Sequence, residues 1–148
     1  MHINKIKLSN FRNYKEQEIQ LNKNINVIYG DNAQGKTNIL EAIFLSAFGK
    51  SFRTSKEKEL IRFDQEKLSI ETEYQKKDRN GKVKVEISNK KQISVNGIKI
   101  KKLSEILGNI NIVIFTPEDI NILRDGPAKR RRFLDMMIGQ LRPNYVYN

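Results

Sequence analysis

One octapeptide limits this chain more than any other stretch. Gly30-Asp31-Asn32-Ala33-Gln34-Gly35-Lys36-Thr37 follows the pattern of glycine, four free positions, glycine, lysine, then serine or threonine. Each fixed position has a chemical reason. Gly30 and Gly35 let the backbone turn tightly and come close to phosphate oxygens. The N–H groups of the loop and of a following helix form a nest for an anion. Lys36 offers an ammonium to the outer phosphates of a nucleotide, and Thr37 offers a hydroxyl to Mg²⁺. The motif demands a strand before it and a helix after it. Ile25-Asn26-Val27-Ile28-Tyr29 reads as a buried strand running into Gly30. Ile39, Leu40, Ile43, Phe44 and Ala47 recur at helical spacing, so a helix is expected over 36–48, stopped by Gly49 at C′. ATP and Mg²⁺ are the ligands this arrangement predicts, held by residues 30–37 with Asn38 beside them.

The remaining elements follow from periodicity. Ile3, Ile6 and Leu8 predict a first strand, and residues 14–19 a second. Residues 56–63 predict a short helix. Leu68, Ile70, Thr72 and Tyr74 alternate with polar residues, as do Val83, Val85 and Ile87, then Ile93 and Val95, then Ile98 and Ile100. Asn80-Gly81 and Asn96-Gly97 favour positive φ and type I′ turns, so a four-stranded antiparallel meander is expected. Residues 103–107 predict a short helix stopped by Gly108. Residues 110–115 form a continuous apolar run, fit for a strand buried on both faces. Thr116-Pro117-Glu118-Asp119 resembles a helix start. Gly126-Pro127 precedes a basic helix over 128–141, with Phe133, Met136, Met137 and Leu141 on one face. The expected organisation is α/β, in three segments: 1–63 with the strands, loop and helix, 64–102 as an antiparallel subdomain, and 103–148 with the buried strand and basic helix.

A length of 148 residues suits one domain. No apolar run approaches a membrane span, and the N-terminus lacks the apolar stretch of a secretory signal. Cysteine is absent, which excludes disulfides and thiolate metal sites and agrees with a reducing cytoplasm. The net charge of +11 favours a polyanionic partner, with nucleic acid ahead of membrane because no basic amphipathic helix stands out. The alternative is lysine spread over solvated faces.

Hydrolysis needs more than a phosphate cradle. An apolar strand ending in Asp normally holds Mg²⁺ from the far side, and here Ile112-Val113-Ile114-Phe115 ends in Thr116. A Leu-Ser-Gly-Gly type loop is also missing. The chain is expected to bind nucleotide and to turn it over poorly, so whether it is an enzyme stays open.

Several stretches together resemble the RecF family of SMC-like, ABC-type ATPase heads. They are Ile6-Lys7-Leu8-Ser9-Asn10-Phe11-Arg12-Asn13-Tyr14, the loop with Asn38-Ile39-Leu40-Glu41-Ala42-Ile43 after it, Lys50-Ser51-Phe52-Arg53-Thr54, and Phe115-Thr116-Pro117-Glu118-Asp119 leading through Gly126-Pro127 to Arg131-Arg132-Phe133-Leu134-Asp135. The resemblance implies the N-terminal lobe of a P-loop head in a DNA repair and recombination protein. Such heads form ATP-dependent homodimers, work with RecO and RecR, and load recombinase at single-stranded/double-stranded DNA junctions. The signature loop and acidic motif would lie in a C-terminal half outside this chain. Arg12 and Asn13 match positions that reach nucleotide phosphates, against the alternative of a solvated strand end. Arg53 matches an arginine that senses DNA or nucleotide, against a plain surface loop. Glu118 and Asp119 match a Mg²⁺-sensing loop, or serve as first-turn acids. Lys129, Arg130, Arg131 and Arg132 crowd a helix start, where the macrodipole disfavours cations, so they are DNA-binding candidates or members of ion pairs. A transporter-type ABC subunit and a non-enzymatic DNA-binding module with a structural loop are the rival readings.

Overall fold

The computed structural model describes residues 1–117, 126–142 and 145. β1 (His2–Phe11) and β2 (Tyr14–Gln20) form an antiparallel pair. The expected meander follows as β3 (Leu68–Lys76), β4 (Arg79–Ile87), β5 (Lys91–Val95) and β6 (Ile98–Lys99). The strands join in one six-stranded sheet of order β2-β1-β3-β4-β5-β6. β3 pairs antiparallel with β1, so the sheet runs through both the 1–63 and 64–102 segments.

The alternation read from sequence sorts the two faces. Ile6, Leu8, Leu68, Ile70, Val83, Val85, Ile87 and Ile93 are all buried on the inner face. Fully burying an aliphatic side chain of this size stabilises by about 1.5–3 kcal/mol, so this face dominates the fold. Helix α1 (Lys36–Phe48) covers it, with Ile39, Ala42, Phe44, Leu45 and Phe48 buried. It starts and stops at the expected residues, and Gly49 takes φ 66 while its N–H donates to Leu45 O at 2.8 Å. The seam holds one polar pair. Ser46 Oγ donates to Ala42 O at 3.0 Å and lies 2.8 Å from Thr72 Oγ1, so both buried hydroxyls are satisfied.

Several expectations change in the fold. Asn96 (φ 51) and Gly97 (φ 83) make the predicted tight turn, but Asn80-Gly81 do not. The β3–β4 turn falls at Lys77-Asp78, while Asn80 and Gly81 pair with Gln75 and Tyr74 inside the ladder. Tyr74 explains the glycine. A Cβ on Gly81 would stand 2.3 Å from the Tyr74 ring, so Gly81 makes room for an aromatic across the ladder. The helices expected over 56–63 and 103–107 are single 3₁₀ turns, Glu57–Leu60 and Leu103–Ile106.

The larger corrections concern the two apolar runs. Residues 25–29 form no strand, and Ile25, Val27 and Tyr29 are 81%, 76% and 89% exposed. Residues 110–115 form none either: Ile110 is buried and Ile112 and Ile114 pack on the core, but Val113 and Phe115 stand 79% and 78% exposed. A strand needs a neighbour for its N–H and C=O groups, and no described strand lies alongside these runs. Ile112 finds a substitute. Its N–H donates to Gln140 Oε1 at 2.7 Å and its carbonyl accepts from Gln140 Nε2 at 3.1 Å. Gln140 belongs to α2 (Pro127–Leu141), the expected basic helix. Phe133, Met136 and Met137 are half-buried as predicted, but Leu141 is 77% exposed. No helix among the described residues is long and apolar enough to cross a membrane.

Candidate phosphate-binding site

The loop over 30–37 is built by unusual backbone angles and braced from below. Gly30, Ala33 and Gly35 take φ of 143, 66 and 101. Gly35 needs its lack of a side chain twice over, because a Cβ there would lie 2.8 Å from the Asn13 side chain and 3.0 Å from the Tyr14 hydroxyl. These two residues, Asn13 in the β1–β2 turn and Tyr14 at the start of β2, hold the loop. Asn13 Nδ2 donates to Gln34 O at 3.1 Å, and the Tyr14 hydroxyl donates to Gly35 O at 3.3 Å. Burial pushes the Tyr14 hydroxyl pKa up, which keeps it a neutral donor.

Lys36 folds over the loop mouth. Its Nζ donates to Gly30 O and Asp31 O, both at 2.6 Å. No side chain caps the start of α1, so the helix presents bare backbone N–H groups beside that ammonium. Thr37 is exposed on the first turn, and Asp31, Asn32, Ala33 and Gln34 are open to solvent. A ring of donors, an ammonium and a free hydroxyl is the chemistry a polyphosphate and its magnesium ion require. Gly30, Asp31, Asn32, Ala33, Gln34, Gly35, Lys36 and Thr37 are therefore together, with Asn38 and Asn13 as their support.

Arg12 takes a different place from the one expected. Its Nε and Nη2 donate to the Glu41 carboxylate at 2.9 and 2.7 Å, and its Nη1 to Glu59 O at 2.8 Å. A guanidinium so engaged ties the β1–β2 turn to α1 and to the 57–60 turn, and is not directed at the loop. The strand-end position is right, but the buried carboxylate claims the side chain. Arg53 is joined to the residue that follows the phosphate loop. Its Nη1 donates to Asn38 Oδ1 at 2.8 Å and to Glu41 Oε2 at 3.3 Å, while its side chain keeps 44% exposure. Asn38 Nδ2 in turn donates to Asn13 Oδ1 at 2.8 Å. An unbroken chain of hydrogen bonds thus runs from Gln34 through Asn13 and Asn38 to Arg53.

Glu41 is the hub of this chain, and the sequence reading missed it. It is fully buried and also accepts from Ser51 Oγ at 2.5 Å. A signal existed: Glu41 is the single charged residue of α1 after Lys36. A carboxylate on a helix otherwise apolar needs a cation, and Arg12 and Arg53 were the candidates. Arg130 and Arg131 are exposed near the start of α2. Glu118 and Asp119, and the side chains of Lys129 and Arg132, lie outside the described residues.

Comparison with known proteins shows the family. A family model described as an AAA domain matches residues 5–141. The chain belongs to this family. Within it the likeness is to RecF. The chain is 47% identical over 150 residues to the DNA replication and repair protein RecF of Acetivibrio thermocellus, which takes in 100% of this chain and 41% of that protein. RecF of Clostridium kluyveri is 48% identical over 149 residues, covering 99% of this chain and 41% of its own length. A solved RecF–ATP structure, described as a recombination mediator of the RecFOR pathway, superposes with a TM-score of 0.92 at 42% identity over 98% of this chain and 40% of its own. The SMC head domain of Thermotoga maritima, at 21% identity and a TM-score of 0.57 over 72% of this chain and 41% of its own, shares the fold. The fold is thus a P-loop α/β head with an antiparallel sheet, and the chain spans about 41% of the length of the RecF relatives it matches.

Proposed function

We propose that this chain is the nucleotide-binding lobe of a RecF-type DNA repair and recombination protein, and that residues 30–38 hold ATP. The observation that carries the proposal is the braced loop, with Lys36 over its mouth and a bare helix start beside it. The 42% identity to a structure described as RecF–ATP supports the choice of nucleotide. Thr37 supplies the hydroxyl for Mg²⁺, and the bound ion would offset phosphate charge beside Lys36. Asn13 positions the loop by holding Gln34, and Arg53 reports on the phosphates through Asn38.

DNA is the polyanionic partner, at single-stranded/double-stranded junctions, with RecO and RecR as protein partners and a reducing cytoplasm as the setting. The charge of +11 and the RecF likeness support this reading. Turnover and an ATP-dependent homodimer are properties of a whole RecF-type protein, of which this chain spans about 41% of the relatives' length. This lobe alone binds ATP and hydrolyses it poorly, because no described strand places a carboxylate opposite Thr37.

Calorimetric titration with Mg²⁺–ATP tests the reading. Saturable binding by the parent chain is expected, with at least a tenfold loss, about 1.4 kcal/mol, in Lys36→Ala. Equal binding by both would remove the loop from the nucleotide site. No binding by a folded parent would leave the loop a structural element.

A further inference from the structure

The outer face of the sheet shows where the net charge of +11 does not reside. Across β1 to β4 that face is a lattice of opposite charges. Lys7 Nζ lies 3.0 Å from Glu18, Lys5 Nζ 3.4 Å from Glu73, Lys82 Nζ 3.0 Å from Glu71 and Lys84 Nζ 2.8 Å from Glu86. The first three pairs are cross-strand, which keeps an exposed face soluble and in register, and Lys84–Glu86 lies within β4. They also present little net charge to an anion.

The lattice stops at β5. Lys99 faces Ser94 in register, and neither Lys99 nor Lys101 makes an ion pair with a described residue. The backbone stays extended through Ile100, whose N–H donates to Ile93 O at 3.0 Å. Lys99 and Lys101 therefore share a side, about 7 Å apart at two residues of strand rise. An open groove of ≈ 250 Å³ lies here, and Lys91, Lys99, Lys101 and Lys102 are among its lining residues while no acid is. Lys91 is paired with Glu57, so the groove's cations toward the edge are those of residues 99–102. Leu103 belongs to this groove and to the next, where Lys50 stands with Asp135 and Met136 of α2, so the basic surface is confined to the sheet edge.

We propose that the β5–β6 edge with residues 99–102 is a contact surface for the phosphate backbone of DNA. The proposal rests on the DNA reading above and names where that partner lies. Phosphates of one strand follow each other at about 3.4 Å along the duplex axis, so the two lysines span two steps. Long flexible ammonium side chains on an open edge suit contacts that ignore base sequence. Lysines on an edge strand also prevent pairing with another chain, and that role predicts a different result.

The test is the salt dependence of DNA binding by the 148-residue chain, followed by anisotropy of a labelled duplex. Each duplex phosphate contact contributes about 0.9 to the slope of log K against log salt. Lys99→Gln/Lys101→Gln/Lys102→Gln is expected to lower that slope by about 2–3. Lys5→Gln/Lys7→Gln/Lys84→Gln removes the same net charge from the paired lattice and is expected to lower it by less than about 1. Arginine at 99, 101 and 102 should restore the parent slope. An edge variant with the parent slope would overturn the proposal, and so would equal losses in both triple variants. Aggregation of the edge variant with unchanged DNA binding would assign these lysines to edge protection and overturn it too. If the folded parent binds no DNA, the DNA reading itself fails, whereas the other outcomes leave it standing.

Discussion

Two parts of this molecule have the same apolar character in sequence and opposite fates in the structure. The strands β1 and β3 to β5 present Ile6, Leu8, Ile70, Val83, Val85 and Ile93 to one face, and all are buried in one core in which α1 packs on β3 and β4. Residues 25–29 and 110–115 carry Ile25, Val27, Tyr29, Val113 and Phe115, and all five are exposed, although Ile110 is buried and Ile112 and Ile114 pack on the core. Hydrophobicity states a demand for cover. It does not say what supplies the cover. The antiparallel sheet meets its demand with neighbours a few residues away. The two runs have no strand beside them among the described residues; Ile112 bonds the Gln140 side chain, and Ile112 and Ile114 pack on the core. The site sits at the junction of these parts: its helix is in the covered part, and its loop follows directly on the exposed run.

The sharpest way to break this contrast is at Glu41, the anchor between loop and core. Glu41→Ala leaves Arg12 part-buried beside no carboxylate and is expected to destabilise the chain by about 3–5 kcal/mol, measured by urea unfolding. A change below about 1 kcal/mol would mean the Arg12 and Arg53 bonds are ornaments of an already stable sheet. Next comes a direct comparison of the two parts. Ile70→Ala, at 0% exposure, is expected to lose about 2–5 kcal/mol. Val27→Ala, at 76% exposure, should stay within about 0.5 kcal/mol in this chain. Similar losses at both positions would show that the 25–29 run is covered in solution.

The smallest effect is the pH dependence from the outer face and the 54–59 turn. The bond from Lys7 holds the Glu18 carboxyl below its ordinary 4.5, and the bond from Thr54 does the same for Glu59. Both groups bind protons more readily in the unfolded chain. Their contribution is present above 4.5 and lost as pH falls through the folded values. Lys7, raised above 10.5 chiefly by its bond to Glu18, contributes below 10.5 and loses that contribution as pH rises through its folded value. Thermal midpoints across pH should show shallow declines at both ends that shrink in high salt. Midpoints that rise on acidification would contradict these ion pairs.

Much of the site was legible because its signals are local. The loop pattern is contiguous, and the helix limits at Lys36 and Gly49 follow from spacing and a left-handed C-terminal glycine. Strand alternation likewise depends on neighbours two residues apart. Arg12 and Glu41 were harder. They are separated by 29 positions, and no local pattern tells a guanidinium whether a phosphate or a buried carboxylate will claim it. The β3–β4 turn misled for a related reason. Asn80-Gly81 has strong turn chemistry, but the Tyr74 ring across the ladder uses the glycine as space.

By itself, then, the order of residues determined the phosphate loop, the helix behind it and the inward side of each strand. These follow from backbone sterics and short-range periodicity. Only the tertiary structure decided that Glu41 gathers Arg12 and Arg53, that β3 joins β1 in one sheet, and that Ile25, Val27, Tyr29, Val113 and Phe115 stay exposed. Each of these turns on which distant groups meet, because burial and ion pairing are properties of a neighbourhood assembled in space.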